Sequence, residues 1–134
     1  MSAEFVRASD AEWKDTVVTT GEVPIVKLMD GVETHILAGK NMTLSFASVA
    51  PNTYAPVHAH PHEQMMIIVK GQMDAIVNGK YFRVKAGDVI PIPGDVPHGA
   101  QTLDEPVEIV EVFSPARKEF EEKLQQAKET AGQS

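Results

Sequence analysis

The chain has 134 residues, no cysteine and a formal net charge of -7 at neutral pH. Its length accommodates one domain with its own hydrophobic core, and the lack of cysteine restricts possible metal ligands to nitrogen and oxygen. The acidic balance argues against nucleic acid as a partner, because nucleic-acid-binding proteins carry clustered lysine and arginine. No apolar run approaches a membrane span, and the N-terminus lacks the pattern of a secretory signal. We therefore expect a cytoplasmic protein with no membrane partner.

The first 21 residues predict an N-terminal arm. Ser9 and Glu12 have the spacing of a capping box, which favours a short turn of helix at Trp13. Residues 22–113 then alternate between short β-rich segments and turn signals. The predicted strands cover residues 23–29, 33–37, 42–49, 64–69, 73–77, 81–84, 89–92 and 107–113. Asn78-Gly79 is a strong signal for a two-residue hairpin, and many short strands without interleaved helices predict an all-β sandwich or barrel.

The last segment, residues 114–134, has the composition of a helix and a tail. Ser114 can act as the N-cap, Pro115 suits the first helical position, and residues 116–127 are good helix formers. The apolar side chains of this helix form a narrow stripe, so we expect it to lie on the barrel or on a partner subunit. The stripe consists of Phe120, Leu124 and Ala127. Residues 130–134 predict a frayed tail.

Histidines cluster where one of the predicted strands begins. Alternate residues of an extended strand share a face, so His58, His60 and Gln64 are expected to point the same way. His98, from another strand, could meet them inside a barrel. Neutral imidazoles and an amide oxygen suit a divalent first-row transition metal, and this ligand set leaves positions open for water or substrate. We expect one such ion per chain, and the ligands do not distinguish manganese, iron, cobalt, nickel and zinc.

The two remaining histidines receive different interpretations. His35 is interpreted as a strand-edge or surface residue. His62 has the parity of a ligand, but Pro61 bends the chain beside it, so we expect His62 at the entrance of the site, where it would contact substrate. Because the chain is acidic overall, an anionic substrate would require a local cation near the metal.

The two histidine stretches resemble the paired motifs of the cupin superfamily. His58-x-His60-x-x-x-Gln64 and Gly71 match the first motif, with Gln64 in place of the usual acid, and residues 87–98 match the second. The resemblance implies a double-stranded β-helix, the jelly-roll barrel of the cupins, with the predicted α-helix at its C-terminus. Small cupins are often dimers, so the resemblance also implies a homodimer.

A narrower resemblance, to the KdgF-type cupins, rests on residues 58–64 together with residues 111–117. Those enzymes convert 4,5-unsaturated uronates, released from pectin or alginate, into linear keto sugars. They use a terminal Asp-x-Phe-x-x-x-Arg beside a His-His-Gln-His metal site. Phe113 and Arg117 match that motif at the right spacing, and Glu111 stands where the family has Asp.

The resemblance implies a role for each residue of the second segment. Glu111 and Arg117 are the expected catalytic residues, with Glu111 moving protons between enol and ketone. Arg117, expected one helical turn into the C-terminal segment, would fork onto the carboxylate of a small anionic substrate. Phe113, on the same strand face as Glu111, would stack on the sugar ring.

Three functions remain open at this point. The leading one is a metal-dependent enzyme of the isomerase or lyase type that acts on a small acidic sugar or enol acid. The second is a cupin dioxygenase, in which iron binds O2, because the ligand set alone permits that chemistry. The third is a non-enzymatic ligand-binding cupin, which is motivated by Glu111 in the place of Asp.

Overall fold

A computed structural model describes residues 5–132. Residues 1–4 of the expected arm and residues 133–134 of the expected tail lie outside this range. The strands within it are β1 (Ile25–Met29), β2 (Val32–Ala38), β3 (Thr43–Val49), β4 (Tyr54–His58), β5 (Glu63–Lys70), β6 (Gln72–Val77), β7 (Lys80–Lys85), β8 (Val89–Ile92), β9 (His98–Thr102) and β10 (Val107–Ser114). The helices are α1 (Asp10–Thr16) and α2 (Lys118–Gly132), with a short 3-10 turn at Thr20–Glu22.

The described strands form two antiparallel sheets. One has the order β1-β2-β3-β10-β5-β8, and the other has the order β4-β9-β6-β7. The main apolar core takes buried side chains from both sheets, including Ile68 of β5 and Met73 of β6. This arrangement confirms the predicted all-β double-stranded β-helix with a C-terminal α-helix.

Local sequence explains the strand faces and the hairpin. Along β5, Gln64, Met66 and Ile68 are buried while the residues between them are more exposed, as the alternation of a strand requires. Asn78 and Gly79 both have positive φ, at 50° and 81°, which is the backbone of a type I′ turn between β6 and β7. Ser9 and Glu12 form the predicted capping box at the start of α1.

Two strands that carry histidines, β4 and β9, were not among the predicted strands. β4 contains Pro56 and is mostly exposed, so it lacks an apolar alternation. β9 contains Gly99 and few apolar residues. Pairing with each other, rather than local propensity, makes these segments strands, and that pairing sets His58 opposite His98.

The start of α2 differs from the prediction, which placed the cap at Ser114 and the first helical residue at Pro115. Ser114 ends β10, where it pairs with Glu63, and its hydroxyl donates a hydrogen bond to the Asn41 carbonyl. α2 begins at Lys118, so Arg117 immediately precedes the helix and does not lie one turn into it. The helical prediction was wrong here because sheet pairing continues through Ser114.

A partly buried hydrogen bond fixes the backbone at this junction. The Arg117 N–H donates to Thr43 Oγ1 at 2.8 Å, and the Arg117 carbonyl accepts from the Phe120 N–H at 3.0 Å. At its other end α2 continues to Gly132, so residues 130–132 are helical and not frayed as predicted. No described helix is long and apolar enough to cross a membrane.

The predicted apolar stripe of α2 lies on the barrel. Phe120 and Leu124 are buried in a second core cluster with Val26 of β1, Ile36 of β2 and Phe113 of β10. Ala127 is partly buried and packs against the same cluster. This packing fixes the rotation of α2 and therefore determines which of its polar side chains face the barrel.

Removing one member of the stripe should destabilise the whole domain. We expect Leu124→Ala to lower the free energy of unfolding by about 2–5 kcal/mol, because it leaves a cavity in a packed core. Urea denaturation measures this change. The exposed Gln126 on the same helix provides the control, and Gln126→Ala should change stability by less than about 0.5 kcal/mol. Equal effects of the two substitutions would contradict the docking of α2.

Candidate metal centre and active site

A cavity of about 370 Å³ lies inside the barrel, within the range of small-molecule sites. Most of its wall is apolar, from Leu28, Met29, Val32, Ala47, Val49, Met66 and Ile109. His58, Gln64, His98 and Glu111 contribute polar groups to the same wall. Further polar groups come from Thr53, from Arg117 just before α2, and from Glu119 and Lys123 of α2.

Three histidines converge beside this cavity, and two of them, His58 and His98, line it. The nitrogens that His58, His60 and His98 offer as ligands all lie within 4.8 Å of one another. The His58 and His98 rings lie on paired strands with their centroids 4.5 Å apart, and the His60 and His98 centroids are 4.8 Å apart. A metal with bonds of about 2.0–2.2 Å can close such a span with small side-chain movements.

Backbone carbonyls determine which nitrogen of each ring is available. The Nδ1 atoms of His58, His60 and His98 lie 3.1, 3.1 and 2.8 Å from carbonyl oxygens. Those oxygens belong to Pro56, His62 and Val96, respectively. A carbonyl only accepts, so each Nδ1 carries the proton and donates it, and each neutral ring presents an unprotonated Nε2. Metal-binding histidines commonly have such a hydrogen bond behind the ring.

Burial keeps two of these rings neutral. It lowers the pKa of His98 and that of His60, because the buried cationic form would lose hydration. The nearby positive charge of Arg117 lowers both pKa values further. The Nε2 of His98 is buried with no hydrogen-bond partner. A buried lone pair without a donor is costly for a folded protein, and a metal ion would satisfy it.

Gln64 adds a fourth potential ligand and links the histidines to an acid. Its side chain is 2% exposed, and its Oε1 lies 3.1 Å from His60 Nε2. When His60 is protonated at Nδ1 and neutral, these two atoms are both acceptors, so a cation shared by them resolves their repulsion. The Gln64 amide nitrogen donates a hydrogen bond to the Glu111 carboxylate. Three imidazole nitrogens and an amide oxygen therefore fit a divalent transition metal.

Glu111 lies where β10 passes beside β5. Burial raises its pKa to about 7, although the positive charge of Arg117 acts in the opposite direction. The residue keeps partial access to solvent through the cavity. A carboxyl group that titrates near neutral pH can both accept and donate a proton, which is what general acid–base chemistry requires.

Arg117 packs against two aromatic rings. Its guanidinium carbon lies 4.2 Å from the centroid of Phe120 and 4.9 Å from that of Phe113. Its side chain is only 12% exposed and forms an ion pair with Glu119. The predicted local cation is thus present, in a fixed orientation beside the cavity.

The structure brings together the four predicted ligands, Glu111 and Arg117, but it does not bring Phe113 or His62 to the cavity wall. Phe113 is fully buried in the second core cluster, where its ring contacts His60, Phe120 and Arg117. It therefore has no free face for the sugar ring that was expected to stack on it. His62 is half-buried, and its carbonyl, not its ring, accepts the hydrogen bond from His60.

Other residues of the site were missed by the sequence reasoning. Phe120, Glu119 and Lys123 of α2 line the cavity. The prediction for α2 used only its apolar stripe. A charged side chain beside that stripe could have indicated a polar group at the cavity, but such side chains are common on surface helices. His35, expected to be a strand-edge or surface residue, is half-buried on β2, and its Nδ1 lies 2.8 Å from the Val23 carbonyl, away from the cavity.

Comparison with known proteins agrees with this geometry. Residues 45–113 match a family model described as the cupin domain. The pectin degradation protein KdgF of Dickeya dadantii (strain 3937) is 25% identical over 101 residues, which are 74% of this chain and 92% of that protein. An RmlC-like cupin from Shewanella frigidimarina NCIMB 400 has a TM-score of 0.74 at 25% identity, over 78% of this chain and 95% of that one. KdgF from Halomonas sp. has a TM-score of 0.71 at 22% identity, over 76% and 94%. The resemblance to the cupin superfamily and the narrower resemblance to KdgF-type cupins are both confirmed.

The hydrogen bonds from the histidine Nδ1 atoms to backbone carbonyls can be tested by nuclear magnetic resonance of the metal-free protein. We expect the Nδ1–H tautomer at His58, His60 and His98 above neutral pH, and titration of His60 and His98 below the ordinary pKa of 6.5. A lowered histidine pKa stabilises the fold above the unfolded-state pKa, and this contribution is lost as pH falls through the folded-state pKa. Long-range nitrogen–proton correlation spectra measure both properties. The Nε2–H tautomer at His98 would contradict the arrangement.

Proposed function

Because this chain belongs to the cupin domain family, we propose that it is a metal-dependent enzyme acting on a small acidic sugar or enol acid. The reaction we propose is ring opening and ketonisation of a 4,5-unsaturated uronate. One observation carries the proposal: a single cavity is lined by two members of the histidine cluster, by an acid whose pKa is raised to about 7 and by an arginine. The similarity to a protein named for pectin degradation supports this substrate class.

Substrate recognition is assigned to Arg117. Planar guanidinium groups bind carboxylates through two parallel hydrogen bonds, and contacts with the rings of Phe113 and Phe120 limit the movement of this one. Lys123 adds a second positive charge to the cavity wall. These cations offset locally the net charge of -7, which would otherwise repel an anionic ligand.

Proton transfer is assigned to Glu111. In the proposed reaction the hemiacetal C1–O bond opens, which gives an aldehyde at C1 and an enol at C5. The enol then loses its O–H proton while C4 gains a proton, so the product is a ketone with the same atoms as the substrate. As a carboxylate, Glu111 accepts the enol proton, and as a carboxylic acid it returns a proton to carbon.

The remaining polar groups hold this acid and the ligands in place. The Gln64 amide donates to the Glu111 carboxylate and thereby orients it, while the amide oxygen faces the histidines. His58, His60, His98 and Gln64 would hold the metal. A bound divalent metal supplies Lewis-acid stabilisation of developing negative charge on substrate oxygen atoms.

We further propose that the protein acts in the cytoplasm as a homodimer. We propose a dimer because small cupins are often dimers. The exposed apolar side chains of the N-terminal segment, among them Phe5, Val6 and Trp13, are consistent with contacts to a second subunit.

The proposal is tested by following the absorbance of the enol-ether band of unsaturated galacturonate. We expect metal-loaded protein to abolish this band and chelator-treated protein to leave it unchanged. Glu111→Gln should slow the loss by about 10²–10⁴-fold, because it removes the acid–base group. Glu108→Gln is the matched control, since Glu108 lies exposed on the same strand, and this variant should keep the activity of the parent.

Other outcomes of the same assay identify the alternatives. Loss of substrate that requires oxygen would replace the proposal with dioxygenase chemistry. Bound metal without any turnover would contradict the proposed reaction. If Glu111→Asp then produced turnover, the chain would be a drifted relative that binds a ligand without converting it.

A further inference from the structure

The guanidinium edge of Arg117 is only partly used. Its Nη2 atom forms the ion pair with Glu119, whereas its Nε–H is buried and has no hydrogen-bond partner. Nε and Nη2 form the edge of a guanidinium that binds both oxygens of a carboxylate at once. Glu119 thus occupies one half of a site made for a whole carboxylate.

The Glu119 carboxylate can move away from the Nε–Nη2 edge of Arg117. The side chain of Glu119 is 56% exposed, whereas that of Arg117 is 12% exposed and packs against the rings of Phe113 and Phe120. Opening the ion pair would therefore return Glu119 to water while Arg117 stays in place. Because only Glu119 regains hydration when the pair opens, a ligand that makes two hydrogen bonds to the same edge can displace it.

An acid at the first turn of a helix often serves only to complement the helix dipole. Glu121 is also acidic and lies in the first turn of α2. What distinguishes Glu119 is its place on the cavity wall and its contact with Arg117. The buried, unpartnered Nε–H is an independent indication that the edge is completed by another acceptor.

We infer that Glu119 is a built-in competitor that occupies the substrate-carboxylate position of Arg117 until a carboxylate ligand replaces it. The inference rests on the proposed function of Arg117 as the carboxylate anchor. It makes Glu119 a determinant of specificity: ligands that cannot complete both hydrogen bonds do not displace it. Competition from Glu119 also makes the affinity for carboxylate ligands lower than it would be if the Nε–Nη2 edge of Arg117 were free.

The test compares the binding of D-galacturonate with that of its uncharged methyl ester to the metal-loaded full-length chain, by calorimetric or magnetic-resonance titration. Glu119→Gln should tighten galacturonate binding by about threefold to tenfold and leave ester binding unchanged, because it removes the internal competitor. Glu122→Gln, an equal change of charge at an exposed position of the same helix, should leave both affinities near those of the parent.

Arg117→Ala separates failure of this inference from failure of the proposed function. It should remove the preference for galacturonate over the ester, and Glu119→Gln in that background should have no effect. If Arg117→Ala removes the preference but Glu119→Gln behaves like Glu122→Gln, the anchor stands and the competitor is refuted. If Arg117→Ala keeps the preference, both assignments are overturned.

Discussion

The site depends on three hydrogen bonds between histidine rings and the backbone. Each of His58, His60 and His98 donates from Nδ1 to a carbonyl within two residues of it in the chain, so local backbone shape orients the rings. The consequence is chemical as well as geometric: all three unprotonated nitrogens face one point. Burial, which lowers the pKa of His60 and of His98, keeps those two rings neutral. The barrel thereby supplies a neutral, preoriented set of ligands without any negatively charged ligand.

Gln64 matters because it replaces the acid that is usual at this position of cupins. An amide offers an oxygen toward the histidines and, unlike a carboxylate, also a donor toward Glu111. A glutamate at this position would place two carboxylates against each other in a buried site, which is electrostatically costly. The amide thus connects the proposed metal ligands to Glu111, the proposed acid–base residue, through complementary contacts. Glu111, which stands where the resemblance to KdgF-type cupins implies an aspartate, accepts this hydrogen bond directly.

Structural features that depend on local sequence patterns were predicted correctly, whereas features that depend on tertiary contacts were not. Alternation identified β5 and the inward face of Gln64, and the Asn78-Gly79 turn formed as expected. β4 and β9 were missed because their residues have little strand propensity and become strands by pairing with each other. The family resemblance and the strand face shared with Glu111 placed Phe113 against the substrate, but the packing of α2 covers its ring. The packing of α2 also brings Glu119 into contact with Arg117. The spacing of residues within the helix does not predict this contact.

The central claim is that one ion is shared by the histidine cluster and Gln64, beside Glu111 and Arg117. The most direct measurement is a crystal structure of cobalt-loaded protein with anomalous data collected on both sides of the cobalt absorption edge. We predict one strong anomalous peak per chain, in contact with the Nε2 atoms of the three histidines and with Gln64 Oε1. A peak at another place, or cobalt held through Nδ1 atoms, would contradict this account of the site.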